Sequence, residues 1–323
     1  MQRNVTIVII CLLALAATLY CARGGVIGWD FTFHVDIAGQ WLAGTVPYFH
    51  HGAYPPLFHW FLAGLIALNI LTPVSLAVQV LAYPAIILST AYLSYRIYGN
   101  DHATITALIM FSSFAVFDRA QVIPQTIDMI FLPIGMLFFT QKRTWKTIGS
   151  FAVSAYSHGP FSMPLLGGAL YRAWRRPEYR KLAILMLIVL IPVLVMVALN
   201  LQNLLLFSSG ANNPQETYAL NDPVWFICYM GVVPFGVMLF SLAYLGMKRR
   251  LFTGLNGMMF AWLLATLPLL FVMIDRFASY SIPAIAILGA SSLEGVYKKF
   301  RIPFIVWMLL LAFATSYVHI WML

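Results

Sequence analysis

The carboxylate best placed to do chemistry in this sequence is Asp30. It precedes a stretch of helical character over residues 31–43, at the expected N-cap position, and His34 follows one turn later on the same face. Asp36 falls on a different face of that helix. A carboxylate within hydrogen-bond reach of a hydroxyl group can take its proton as the oxygen attacks. Asp30 is therefore the predicted catalytic base, and a capping role alone is the alternative interpretation.

Histidines gather in the same part of the chain. Four of the seven lie between positions 34 and 59. Histidines and carboxylates together can ligate a metal ion, but no spacing here is diagnostic in the way that a helical HExxH is. The metal candidates are Asp30, Asp128 and His51; the cofactor is unknown, with a divalent cation, Mg²⁺ or Mn²⁺, as the candidate. Histidine and tyrosine at a membrane interface are the alternative interpretation.

Other polar patches carry charged or imidazole side chains between apolar runs. The patch 117–128 contains Arg119 and ends on Asp128, which opens the next helical segment. An Asp at a helix N-terminus also has a purely structural use, because it stabilises the free backbone N–H groups there. Arg276 lies in a third patch, and His158 follows an apolar run. These residues are candidates whose significance depends on which side of a membrane they occupy.

The amino-acid composition indicates which class of protein carries these residues. Of the 323 residues, 62% are hydrophobic and only 9% are charged, and the mean hydropathy is +0.86. Soluble domains are nearer half apolar and a quarter charged, so a soluble protein is excluded. The net charge of +9 is spread in short basic clusters between apolar runs, which is typical of topology signals and argues against nucleic acid as a partner. The sequence predicts an all-α polytopic membrane protein.

Charge placement selects the number of crossings. With a cytoplasmic N-terminus and residues 55–71 lying in the membrane plane, 16 of the 19 basic residues fall inside, and only Arg23, Arg119 and Arg276 fall outside. The prediction is a single membrane domain over 1–323 with no soluble domain, and a first outer loop of about 24–73 with in-plane helices. The eleven predicted crossings are 5–22, 74–95, 103–117, 127–140, 147–158, 160–171, 182–206, 223–246, 254–274, 277–296 and 302–323.

The acidic residues sort to the opposite side, although the crossings were assigned from the basic residues alone. Seven of the ten acids and six of the seven histidines fall outside. This distribution favours an integral, multi-pass protein of the plasma membrane with its active site outside, or of the endoplasmic reticulum if the source is eukaryotic. A general need for polar residues in outer loops is the alternative interpretation.

The first outer loop resembles that of a known superfamily. Asp30, a short aromatic helix ending in Trp-Leu-Ala-Gly at 41–44, Pro-Tyr at 47–48 and Tyr-Pro-Pro-Leu at 54–57 follow in the order found in GT-C membrane glycosyltransferases. Asp128 matches the second acidic motif of that superfamily. The pattern is most similar to the polyprenol-phosphate-mannose-dependent, protein-mannosyltransferase-like branch. It covers the first half of the chain well and the second half weakly.

One late motif extends the resemblance, and three features depart from the family pattern. Arg276-Phe277 before the Ser-Ile-Pro at 281–283 resembles a late helix of such enzymes. The chain lacks the large soluble C-terminal domain of some relatives. Asp30 has no adjacent acid, and His34 stands where relatives often have Tyr.

The resemblance implies an inverting membrane glycosyltransferase with a GT-C-like fold. It would move a sugar, with mannose as a candidate, from a polyprenyl-phosphate donor to an acceptor that is a glycan, a lipid or a protein. Asp30 would be the base, and positive charge would stabilise the departing phosphate. The residues implied in binding the donor phosphate and the substrate are Arg276, Arg119, His34, His158, Asp128 and Tyr54.

Two other classes of function remain open at this point. A transporter or flippase for a lipid or solute would be expected to show internal repeats, broken helices in matching positions and ionisable residues within its crossings. The apolar runs contain several prolines but almost no charge. A non-catalytic membrane subunit with a GT-C-like fold is the other alternative. Membrane lipids are the expected surroundings in each case.

Overall fold

A computed structural model describes residues 5–25, 29–45, 56–199, 223–269 and 274–322. All regular secondary structure in these residues is helical. The α-helices are α1 Val5–Ala22, α2 Trp29–Leu42, α3 Leu57–Ala67, α4 Leu71–Tyr98, α5 Asn100–Phe111, α6 Phe114–Asp118, α7 Pro124–Thr140, α8 Thr144–His158, α9 Met163–Arg175, α10 Arg180–Leu199, α11 Pro223–Met230, α12 Val232–Met247, α13 Gly254–Thr266, α14 Ile274–Lys299 and α15 Arg301–Met322.

The helices identify an integral membrane protein. Within the described ranges, three helical segments are both long and apolar enough to cross a bilayer: Val5–Ala22, Leu71–Tyr98 and Pro177–Met196. Several shorter apolar helices accompany them. Large hydrophobic side chains cover the outside of α1, where Leu12 is 58% exposed, as expected of a surface that faces lipid. The count of eleven crossings stays a prediction.

The first-loop helices α2 and α3 pack on each other around a small apolar cluster of their own. Ala38 of α2 and Phe58 and Leu62 of α3 are buried there, together with Val122 from the patch before α7. At 1.5 Å per residue, the 11 residues of α3 span only about 16 Å, roughly half of the hydrocarbon core. Such a helix is too short to cross the bilayer alone, and the in-plane position of residues 55–71 stays a prediction.

The start of α2 corrects one prediction about Asp30. The helix begins at Trp29, so Asp30 lies in its first turn rather than at the N-cap position. The helix dipole still favours a negative charge there. The predicted division of faces is confirmed, because His34 is buried whereas Asp36 is exposed and accepts a hydrogen bond from Gln40 at 2.8 Å.

Two segments predicted as continuous crossings are broken. The segment 103–117 divides into α5 and α6 at Ser112–Ser113, and 223–246 divides into α11 and α12 at Gly231. Gly231 has a φ of 100°, and a Cβ there would lie 2.6 Å from the carbonyl oxygen of Ser112. Only glycine accommodates both requirements at low cost. The Ser113 hydroxyl donates to the carbonyl of Met230 at 2.7 Å, so the two breaks meet and satisfy each other.

Packing between helices distant in sequence forms the main core. The hairpin of α7 and α8 packs together, α9 packs on α13, and α14 lies against α5, α12 and α13. A continuous set of buried apolar side chains joins these helices, including Met136, Phe151 and Trp262. The N-terminal halves of α7 and α14 and the C-terminal end of α8 are thereby brought to one end of the bundle.

The sidedness of the chain can be tested by labelling. In a cysteine-free background, single cysteines at positions 52 and 210 are expected to react with a membrane-impermeant maleimide added outside. Cysteines replacing Lys142 and Lys248 are expected to be protected until the membrane is permeabilised, because the basic clusters remain inside. Reaction at position 52 from outside, combined with cytoplasmic accessibility of residues 68–70 between α3 and α4, would show that α3 crosses.

Candidate active site

A buried carboxylate, Asp128, lies at the centre of a polar cluster inside the bundle. Its Oδ1 accepts a hydrogen bond from the Ser154 hydroxyl at 2.5 Å. Its Oδ2 accepts one from the Tyr280 hydroxyl at 2.8 Å and lies 2.9 Å from Nδ1 of His158. The Tyr280 hydroxyl and His158 Nδ1 are themselves 2.6 Å apart. Four side chains from α7, α8 and α14 therefore fix one another, and all are buried.

Arg276 brings a buried positive charge to this cluster. The side chain is only 6% exposed. With the Gln125 amide oriented so that its oxygen faces Arg276, the guanidinium donates to that oxygen, through Nη2 at 3.0 Å and also through Nη1. Its charge acts on the carboxylate of Asp128. Gln125 and Asp128 are three residues apart on α7, so one face of that helix presents an amide and a carboxylate to α14.

The local sequence explains how α14 presents Arg276 and Tyr280 together. The two residues are four positions apart and therefore share a face of the helix. Pro283 follows one turn after Ser279 and Tyr280 and removes a backbone donor from the helix at that level. Nε1 of Trp262, on α13, donates to the Tyr280 carbonyl at 2.8 Å. This segment of α14 is thus held by side chains as well as by its own backbone.

The second predicted phosphate ligand, Arg119, lies in an adjoining cluster. Its Nη2 donates to the Tyr229 hydroxyl at 2.9 Å, its Nε donates to Ser279 Oγ at 3.3 Å, and Nε is 3.5 Å from Oδ2 of Asp118. The Tyr229 hydroxyl donates to the same Asp118 oxygen at 2.5 Å. Because Ser279 lies three residues after Arg276, α14 links the two arginines.

His34 and His59 form a buried pair between the first-loop helices. Nδ1 of His34 and Nε2 of His59 are 3.0 Å apart. Burial lowers the pKa of His59 to about 4, and burial, reinforced by the charges of His59, His158 and Arg276, holds the pKa of His34 well below its usual value. One neutral imidazole therefore donates to the other. The influence of His158 and Arg276 on His34 means that α2 lies close to the Asp128 cluster.

The histidine pair predicts a loss of stability in acid. A histidine with a lowered folded-state pKa binds fewer protons than in the unfolded chain, so its contribution is complete above the unfolded pKa of about 6.5 and falls as the pH drops toward 4. His59 alone corresponds to about 3 kcal/mol at the acid limit. We expect the thermal midpoint of the purified protein to fall over this range, and to fall less in His59→Gln. An identical pH profile for both proteins would contradict the assignment.

The structure brings together five of the predicted site residues: His34, Arg119, Asp128, His158 and Arg276. The backbone of Asp30 lies one turn before His34 on α2. Tyr54, His51 and the side chain of Asp30 lie outside the described residues.

Several partners in the site were not among the predicted residues. Ser154 and Tyr229 lie inside apolar runs, where the sequence pattern does not mark a hydroxyl group as a site residue. Tyr280 and Ser154 nevertheless have a sequence signal, since each lies four residues from a predicted site residue on the same helix, Arg276 and His158 respectively. Gln125 is likewise one turn from Asp128.

Asp128, one of the predicted metal ligands, is surrounded by hydrogen-bond partners from the protein, and its role as a metal ligand stays a prediction. Both of its carboxylate oxygens are engaged by protein groups, and Arg276 adds a positive charge beside it. No group of three or more His, Cys, Asp and Glu side chains that could hold a metal ion occurs within the described part of the chain. The other two candidates, Asp30 and His51, are the ones whose side chains are not described.

A small cavity of about 80 Å³ adjoins the second cluster. Thr18 and Cys21 of α1, Gln79 of α4 and Asp118 line it, together with Gln121. Its volume is well below the ~300 Å³ of small-ligand sites, so it does not hold a sugar-lipid head group as it stands.

Comparison with known proteins places this arrangement in a known fold. No family model matches the sequence, and no curated protein matches it. Two solved structures do match: ArnT from Cupriavidus metallidurans bound to undecaprenyl phosphate, with a TM-score of 0.59 and 17% identity, and the same protein in the apo state, with 0.57 and 18%. The chain has the fold of ArnT over the matched residues.

The match covers most of this chain but only part of ArnT. In both comparisons 90% of this chain is covered, but the chain spans only 59% of the length of ArnT. At this level of identity the likeness concerns the fold and no individual residue. These neighbours give no support to the mannosyltransferase branch that the sequence resemblance implied.

Proposed function

We propose that the protein is a membrane glycosyltransferase that transfers a sugar from a polyprenyl-phosphate-linked donor to an acceptor. The observation that carries this proposal is the burial of Arg276, whose guanidinium contacts Gln125 one turn from Asp128 on α7. A buried guanidinium binds phosphate strongly because its N–H groups match the phosphate oxygens in a medium of low polarity. The GT-C-like fold and the undecaprenyl phosphate bound to ArnT support the choice of donor.

The proposed reaction is a single displacement at the anomeric carbon. The acceptor hydroxyl attacks, its proton passes to the carboxylate of Asp30, and a new C–O bond forms as the bond from the anomeric carbon to the phosphate oxygen breaks. The phosphate leaves with the electron pair, so no separate general acid is required, and the anomeric centre is inverted. Arg276 stabilises the growing charge on the phosphate.

The other site residues act around this step. Arg119, on the far side of Ser279 from Arg276, adds a second positive charge for the donor phosphate. His34, His158 and Tyr54 donate hydrogen bonds to the phosphate or the sugar. Asp128 positions Tyr280 and His158 through Oδ2 and balances the charge of Arg276 when no donor is present. Placing the active site at the outer face follows from the predicted topology.

The transfer reaction tests the proposal directly. Purified protein is supplied with radiolabelled polyprenyl-phosphate sugars, beginning with mannose and continuing with other sugars, in membranes that contain native glycans, lipids and proteins as acceptors. Labelled lipid and protein fractions are then counted with EDTA and with added Mg²⁺ or Mn²⁺, which also measures metal dependence. Transfer above the level of an Asp30→Asn variant supports the proposal. Donor binding without transfer would instead indicate a non-catalytic subunit, and movement of the intact donor across the bilayer a flippase.

A further inference from the structure

A second, larger cavity lies at the opposite end of the bundle from Asp128. It has a volume of about 450 Å³, is open to the surface, and is formed where the C-terminal ends of α4, α7 and α9 meet the start of α13. Thr140, which lines it, is twelve residues after Asp128 on α7, or about 18 Å along the helix. This is the end that carries most of the basic residues and is predicted to face the cytoplasm.

The polar lining of this cavity is basic. Arg96 of α4 and Arg172 of α9 line it together with Tyr98 and Gln141, and none of its described lining residues is acidic. Glu178, six residues after Arg172, lies 3.8 Å from Lys142. Two guanidinium groups thus share one open space with no carboxylate in it.

Arg172 has an unused donor inside the protein. Its guanidinium stacks on the ring of Tyr179, 5.1 Å from the ring centre, and its buried Nε has no hydrogen-bond partner among the described residues. A buried N–H of a charged group without an acceptor is costly, and an anionic oxygen in the cavity would remove that cost. Arg96 is exposed, with Nη1 donating to the Tyr92 hydroxyl at 2.8 Å, and can turn toward the same ligand.

We propose that this cavity binds the head group of an anionic phospholipid, with Arg172 and Arg96 holding its phosphate. The volume suits a head group. The remaining lining includes Leu137 and Met258, which can contact glycerol and the first methylenes of the acyl chains. Trp174 is 70% exposed two residues after Arg172, and exposed tryptophan marks the depth of lipid head groups. A lipid therefore fits better than a soluble phosphate compound.

Binding of short-chain lipids to delipidated protein in a neutral detergent tests this proposal. Dioctanoyl phosphatidylglycerol is the probe, with dioctanoyl phosphatidylcholine and inorganic phosphate as comparison ligands, and affinity is read from the shift of the thermal midpoint with ligand concentration. We expect phosphatidylglycerol to raise the midpoint of the wild-type protein. Arg172→Gln is expected to weaken its binding about tenfold or more, because a charge-assisted hydrogen bond is lost.

Two further variants keep the test decisive. Arg175→Gln removes an equal charge from the same helix outside the cavity, where the side chain stacks on Trp174, and should bind the lipid as the wild type does. Arg172→Lys should bind with intermediate affinity, since it keeps the charge and loses the planar fork. Equal binding of phosphatidylcholine, full binding by Arg172→Gln, or a shift produced by inorganic phosphate alone would overturn the proposal. Sugar transfer is not part of the measurement, so the result is independent of the proposed catalytic function.

Discussion

Asp30→Asn is expected to slow sugar transfer by about 10²–10⁴-fold, the usual cost of losing a general base. Asparagine has nearly the same size and can still interact with the first turn of α2, so the helix and the protein should remain folded. It cannot take the proton of the acceptor hydroxyl. The loss should therefore appear in kcat, with little change in donor affinity. The measurement is transfer of label at saturating donor, with thermal midpoints recorded for each variant.

Asp36→Asn provides the matched control on the same helix. Asp36 is exposed and accepts a hydrogen bond from Gln40 on its own helix, so the same chemical change there should leave the rate within about twofold of the wild type. Equal rates for wild type and Asp30→Asn would remove Asp30 from the chemistry. A lower thermal midpoint with an unchanged rate per folded molecule would show that Asp30 only stabilises α2.

The meeting of the site residues could be predicted from the sequence because the membrane confines them. Arg119, His158 and Arg276 follow or precede apolar runs, and the excess of positive charge on one side assigns them all to the other. Residues at the same end of consecutive helices lie in one thin layer, so few arrangements keep them apart. In the structure His158 contacts Asp128, and Arg276 contacts Gln125 one turn away. Arg119 contacts Ser279 on the same helix as Arg276, so the three residues lie in adjoining clusters, in agreement with that reasoning.

The character of Asp128 could not be predicted in the same way. From the sequence it is an Asp at the start of a helical segment, which commonly means a cap in contact with water. In the structure it is fully buried, because α8 and α14 pack over this face of α7 and supply Ser154, His158 and Tyr280 as partners. Burial of that kind depends on contacts between residues more than 25 positions apart. No local pattern in the sequence encodes them.

The breaks at Ser112–Ser113 and Gly231 were missed for a related reason. A serine pair and a single glycine are tolerated within apolar helices, so each segment looks continuous when it is considered alone. The breaks become stable only together, since Ser113 supplies the hydrogen bond that the carbonyl of Met230 lacks at the end of α11. The break at Gly231 comes two residues after Tyr229, the partner of Arg119, so it helps to position the second arginine.

Arg276→Ala is expected to reduce transfer by about 10²–10³-fold, the range seen when one donor to a developing negative charge is removed. In the wild-type protein the guanidinium is buried, and Gln125 holds it with an amide oxygen. Without it, the departing phosphate would be left in a medium of low polarity with less positive charge. Because the donor phosphate is already charged before the reaction, we expect KM to rise as well as kcat to fall, unlike the result for Asp30→Asn.

Arg276→Lys separates charge from geometry. Lysine restores the positive charge but not the planar fork, so it should recover part of the lost activity and keep the thermal midpoint close to that of the wild type. Arg23→Ala is the matched control, since Arg23 is another of the three basic residues predicted outside and stacks on Tyr20, at 5.5 Å from the ring centre. If Arg276→Ala were fully active, Arg276 would be excluded from the site. If Arg276→Ala and Arg276→Lys lost activity only in proportion to lost folded protein, the guanidinium would be a structural partner of Gln125 and Asp128 rather than a ligand of the phosphate.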